Sequence, residues 1–146
     1  MQIPDIERTA TVHWEGDISR GKGSITTESG KVAADYSFGT RFSGEPGTNP
    51  EELLAASHAS CFTMALTLAL TRAGHPPTAI DTTARVHLRQ SGNSVDVPRI
   101  ELTTRAAVPG LEAGAFQTIA TAAKENCPIS KALRSVEISL EAALNP

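Results

Sequence analysis

GTNPEELLAASHASCFTMALTLALTRAG, residues 47–74, carries the start, the body and the stop of one long helix. Asn49 has a side-chain oxygen suited to capping free backbone N–H groups, and Pro50 sits where a missing N–H costs nothing. Glu51 and Glu52 place negative charge at the positive end of the helix dipole, with capping-box spacing from Asn49 to Glu52. Arg72 falls in the last turn, Gly74 is suited to the left-handed cap, and Pro76-Pro77 follow. The pattern predicts a helix of about 24 residues, roughly 36 Å long. Leu53 to Thr71 carries no formal charge, so the helix is expected to be apolar, and buried, on all sides. Cys61 lies near its middle, and His58 lies three residues earlier on the same face.

Three readings of this stretch compete. Its length suits a membrane span, but His58 and five hydroxyl residues between Ser57 and Thr71 dilute the apolarity. It could be a core helix with a passive buried thiol. Or Cys61 is a working thiol, which the rest of the chain must support.

At 146 residues the chain is expected to form a single domain, 1–146, large enough to bury a core unaided. A net charge of −3, scattered Lys and Arg, and 4% aromatics argue against nucleic-acid binding. Residues 1–10 carry acids and no apolar run, so a cytosolic protein without a signal peptide is expected. In a reducing compartment, two cysteines suggest catalysis, redox chemistry or metal binding rather than a structural disulfide.

Outward from the helix, residues 9–14, 21–28 and 32–38 suggest three short antiparallel strands, and 39–50 a Gly- and Pro-rich loop carrying Arg41. Residues 80–89 and 99–108 suggest a hairpin turning at 91–94. A second helix is expected from Glu112 to Asn126, then a short helix over Pro128–Leu133 with Cys127 at its N-cap, and a last strand from Val136 to Leu144. The order is βββαββαβ, an α+β class with antiparallel sheets around a long buried central helix.

Cys127 at a helix start is placed to favour a thiolate. A separation of 66 residues excludes a local CxxC pair. A peroxide-reducing thiol needs a thiolate, a cation beside it, normally Arg, and a second thiol to resolve the sulfenic acid. Glu51 and Cys61 stand ten residues apart, so about 15 Å along the axis. If both serve one site, a symmetric dimer solves the geometry, with Glu51 of one subunit serving Cys61 of the other. His58 also invites a cysteine-hydrolase reading, or a zinc site with Cys61 and Cys127. Against the first, buried mid-helix N–H groups make no oxyanion hole. Against the second, His13, His75 and His87 lack ligand spacing. The bland role for His58 is a core residue with one satisfied nitrogen, or a helix-packing polar group.

The segments HWEGDISRGKG (13–23), FGTRF (38–42), GTNPEELLAASHASCFTMAL (47–66), IDTTA (80–84) and NCPISKAL (126–133) together resemble the OsmC/Ohr family, and the OsmC branch most closely. The resemblance spans nearly the whole chain. It implies a thiol-dependent peroxidase that reduces organic hydroperoxides, and hydrogen peroxide more weakly, in oxidative or osmotic stress defence. It implies an intertwined homodimer with active sites at the subunit interface. By motif, Cys61 is the peroxidatic thiol and Cys127 the resolving thiol, closing a Cys61–Cys127 disulfide. Glu51 holds the site arginine, Arg41 in the OsmC branch, with Arg20 the nearest Ohr-branch counterpart. The reductant is a dithiol, a lipoylated protein in the Ohr branch. No cofactor, metal, nucleic acid or membrane is implied. The family often has an aromatic residue at the His58 position, so His58 is not expected to be essential. The alternative is a non-catalytic ligand-binding or stress-scaffold protein with the same fold.

Overall fold

Residues 3–145 are described by the structure, a computed structural model. The backbone divides at the start of the long helix into two units, Met1–Pro50 and Glu51–Pro146.

In the first unit, β1 (Ala10–Glu15), β2 (Lys22–Thr27) and β3 (Ala33–Tyr36) form the expected antiparallel meander. Trp14 stands opposite Gly23, and Gly23 opposite Tyr36. The two rings meet edge to face, 5.5 Å between centroids. A Cβ at position 23 would land on both rings, so only glycine lets them close over the strand.

The expected third strand and loop give way to a shorter strand and a helix, α1 (Phe38–Phe42). Ser37 and Thr40 explain the difference. The Ser37 Oγ accepts from the Thr40 N–H at 3.2 Å, and the Thr40 Oγ1 accepts from the Ser37 N–H at 2.9 Å. This reciprocal cap stabilises a turn of helix that Gly39 within it and Gly44 just after it obscure in the sequence. Arg41 lies in its last turn, 5.3 Å from the centroid of the Phe42 ring.

The second unit begins with α2 (Pro50–Arg72), 23 residues that stop where expected, with Gly74 at φ +84°. Glu51, His58, Phe62, Leu66 and Leu70 form its buried stripe. Complete burial of Phe62, Leu66 and Leu70 contributes about 1.5–3 kcal/mol each. The expectation of burial on every side is corrected here. This chain covers one stripe only, and Met64 and Leu68 are 76% and 49% exposed. By length and composition α2 could span a membrane. Its buried stripe belongs instead to the core of this unit, packed with Leu102, Ala106, Phe116 and Ala120.

The sheet facing that stripe runs β4 (Ala79–Val86), β7 (Arg99–Ala107), β8 (Glu137–Leu144). Thr63 on α2, Thr82 on β4 and Thr104 on β7 form a hydroxyl chain at 2.8 and 2.9 Å, satisfying polar groups inside the core. Two features differ from expectation. The SGNS turn closes a separate small hairpin, β5 (Arg89–Ser91) with β6 (Ser94–Asp96), inserted between the long strands. And β8 lies parallel to β7, so this sheet is mixed rather than purely antiparallel. The reason is α3 (Ala113–Asn126), whose Phe116, Ala120 and Ala123 pack into the core and carry the chain back before β8 begins. A helical crossover of that length returns a strand parallel.

Candidate active site

The two thiols come together in the second unit. Cys61 is half-buried in the middle of α2, and Cys127 is fully buried between α3 and α4 (Pro128–Ala132). Their sulfurs lie 2.9 Å apart and both are free thiols. Side chains separated by 66 residues are thus held at a range from which a small rotation about the Cα–Cβ bonds brings the sulfurs to disulfide distance on oxidation.

Cys127 occupies the N-cap of α4, as its Cys-Pro sequence predicts. Burial opposes its ionisation, but the Cys61 thiol, the Ser130 and Ile129 N–H groups and the Ser130 hydroxyl oppose that more strongly and bring its pKa below the ordinary thiol value. No fully aligned cap hydrogen bond reaches the sulfur, so the stabilisation is spread over several donors. Cys61 shifts the other way. Burial is the main cause, its contact with Cys127 adds to it, and the Ile129 N–H only partly offsets them. A cation beside Cys61 is what would make it the better nucleophile.

A cavity of about 700 Å³ opens beside Cys61. Met64, Ala65, Leu68 and Ala123 line it, Pro128 sits near the thiols, and Arg72 lies about three helical turns along α2 from Cys61. Its walls suit an apolar tail rather than a small polar oxidant.

His58 is fully buried on α2, and its Nε2 meets the Ser130 Oγ at 2.8 Å. Its Nδ1 is buried without a hydrogen-bond partner. Burial holds the imidazole below its ordinary pKa and so favours its neutral form. This is the core histidine with one satisfied nitrogen. A hydrolase would need that nitrogen on Cys61, and a zinc site would need it to converge with both sulfurs; it meets Ser130 instead. Among the described residues, no group of three or more His, Cys, Asp or Glu side chains forms a metal-donor cluster.

The remaining sequence candidates are placed as follows. Glu51 is buried at the first turn of α2, ten residues before Cys61. Arg41 is on α1 in the first unit. Arg20 lies in the turn between β1 and β2, where its backbone N–H donates to the Asp17 carboxylate at 2.7 Å. Ser130 is the residue that sequence reasoning missed. Its signal was present: His58 precedes Cys61 by three residues and Ser130 follows Cys127 by three, so each thiol has a polar side chain one helical turn away.

Comparison with known proteins bears on the family and the fold. The OsmC-like protein family matches residues 42–141. Peroxiredoxin OsmC of Escherichia coli is 50% identical over 137 residues, 93% of this chain and 95% of that one. An organic hydroperoxide resistance protein of Xanthomonas axonopodis is 33% identical over 104 residues, 68% of this chain and 70% of that one. The crystal structure of the organic hydroperoxide resistance protein OhrB of Bacillus subtilis superposes with a TM-score of 0.67 at 28% identity, over 94% of this chain and 98% of that one. With half its residues shared with one member over nearly the full length of both chains, and that fold in common, the chain belongs to the OsmC-like protein family.

Proposed function

We propose that this protein is a cysteine-based peroxidase that reduces organic hydroperoxides to alcohols, and hydrogen peroxide more weakly, in oxidative and osmotic stress defence. The observation that carries the reading is the contact of two free thiols, 2.9 Å apart, beside an apolar cavity. The names of the relatives, peroxiredoxin and organic hydroperoxide resistance protein, support it.

In this reading the Cys61 thiolate attacks the distal peroxide oxygen. An S–O bond forms, the O–O bond breaks, and the alkoxide leaves as alcohol after taking a proton. Cys127 then attacks the Cys61 sulfenic acid. The S–S bond forms, the S–OH bond breaks, and water departs with the Cys127 proton. An external dithiol, a lipoylated protein in the first instance, exchanges with that disulfide and restores both thiols, itself becoming the disulfide.

The working form is a homodimer, in which a second copy covers the apolar face of α2 around Met64 and Leu68. Arg41, fixed by Glu51 of its own subunit, stabilises the thiolate of Cys61 in the partner. That supplies the cation Cys61 needs against burial. The protein works in the cytosol, where a dithiol reductant is available.

A coupled assay with a reduced dithiol and two oxidants tests the reading. The expected result is turnover of an aromatic or long-chain organic hydroperoxide at least about tenfold faster in kcat/KM than of hydrogen peroxide, the size of a modest apolar binding term. Absence of turnover with either oxidant would favour the non-catalytic scaffold.

A further inference from the structure

The His58–Ser130 pair and the Cys61–Cys127 pair are built from the same two elements. On α2, His58 and Cys61 are three residues apart, and across the N-terminus of α4 Cys127 and Ser130 are three residues apart. The 2.8 Å His58–Ser130 bond therefore runs alongside the thiol contact, one turn removed on each element. Its two side chains are buried, Ser130 to 7% exposure and His58 completely. A buried polar bond of this kind holds its ends in register, because opening it leaves both groups without water or partner.

The direction of that bond follows from what surrounds it. Neutral imidazole has one N–H and one bare nitrogen. If Ser130 donated to Nε2, the proton on Nδ1 would be a buried donor with no acceptor. With the proton on Nε2, His58 donates to Ser130 Oγ. Only a bare acceptor nitrogen is then buried at Nδ1.

We propose that His58 and Ser130 are positioning residues for the resolving step: their buried bond, donated from His58 Nε2–H to Ser130 Oγ, clamps α4 to α2 beside the thiol contact and presents Cys127 as the attacking sulfur. The proposal rests on the peroxidase reading for its consequence but not for its geometry. In the step concerned, the Cys127 sulfur is oxidised as the S–S bond forms. The Cys61 sulfur is reduced as the S–OH bond breaks, and hydroxide leaves as water with the Cys127 proton. From α2 the titratable groups facing Cys127 are Cys61 and, through Ser130, His58. Lys124 and Glu125 of α3, Lys131 of α4 and Arg134 line a separate cleft that Ser130 borders.

The test is a pair of measurements on the whole protein. Sulfenic acid formation and disulfide closure are timed separately after one equivalent of organic hydroperoxide, by trapping and intact mass. In Ser130→Ala, closure slows about tenfold relative to sulfenic acid formation, the value of one buried hydrogen bond lost from the clamp. Sulfinic acid accumulates at Cys61, and Ser130→Thr, which keeps the hydroxyl, restores closure. A packing defect alone would not be rescued by the hydroxyl. Independently, the nitrogen-15 shifts of His58 in the reduced wild type should mark the Nε2–H tautomer, a result available even if Ser130→Ala fails to fold. An Nδ1–H tautomer, or closure in Ser130→Ala as fast as in the wild type, overturns the proposal. Absence of any disulfide in the wild type instead overturns the peroxidase reading and leaves the tautomer result to decide the geometry.

Discussion

Cys61→Ser reduces organic hydroperoxide turnover to background, a loss on the order of 10⁴-fold or more, as when a covalent nucleophile is removed from an enzyme. Serine is nearly isosteric, and Cys61 is only half-buried against the core, so the variant should remain folded with an unaltered melting temperature. The effect is chemical, because a serine hydroxyl has a far higher pKa than a thiol and its oxygen is a poor nucleophile toward a peroxide bond. A coupled dithiol assay checks it, with circular dichroism as the folding control. Retained turnover would move the chemistry off α2 altogether. Cys127 could not take its place in the same cycle, since it is fully buried while Cys61 borders the cavity.

Arg41→Ala carries the second large effect, about 10–100-fold in the rate of Cys61 oxidation at pH 7. The sign follows from the thiol. Burial and the neighbouring Cys127 push Cys61 above its ordinary pKa, so at neutral pH the thiol form predominates unless a cation opposes them. Removing that cation lowers the thiolate fraction. The loss is therefore largest at and below neutrality and shrinks as pH rises through the thiol range. A pH–rate profile of sulfenic acid formation shows this as a shift of the rising limb to higher pH. Arg41→Lys retains the charge without the planar fork and should recover only part of the rate. Arg20→Ala is the necessary comparison. If it produces the shift and Arg41→Ala does not, the site arginine comes from the turn between β1 and β2.

Much of this site was legible before any coordinates, for local reasons. Cys127-Pro128 announces a helix start because proline is tolerated at N1 and the preceding residue takes the cap, and α4 begins there. The long helix is fixed by Asn49-Pro50-Glu51-Glu52 at one end and Gly74 at the other. Of the roles open to His58, the structure matches the bland one, a core residue with one satisfied nitrogen.

What was missed depended on partners distant in sequence. Nothing local distinguishes a parallel from an antiparallel final strand, because residues 137–144 alternate in either case; the α3 crossover decides it. The small β5–β6 hairpin hides inside what looks like one long hairpin, since three-residue strands carry no usable periodicity. All-round burial of α2 was inferred from its composition, yet composition cannot say which molecule covers an apolar face, and this chain covers one stripe. Ser130 passed unnoticed because a serine three residues after a cysteine means little until His58 is found beside it.

The central claim is that Cys61 and Cys127 form one redox couple. The most direct measurement is intact mass and free-thiol count after about one equivalent of an organic hydroperoxide, followed by peptide mapping. The account predicts loss of both thiols, a mass two hydrogens lighter, and a single intrachain link between Cys61 and Cys127. Two thiols left intact, or a stable adduct on Cys61 with Cys127 still free, would contradict it.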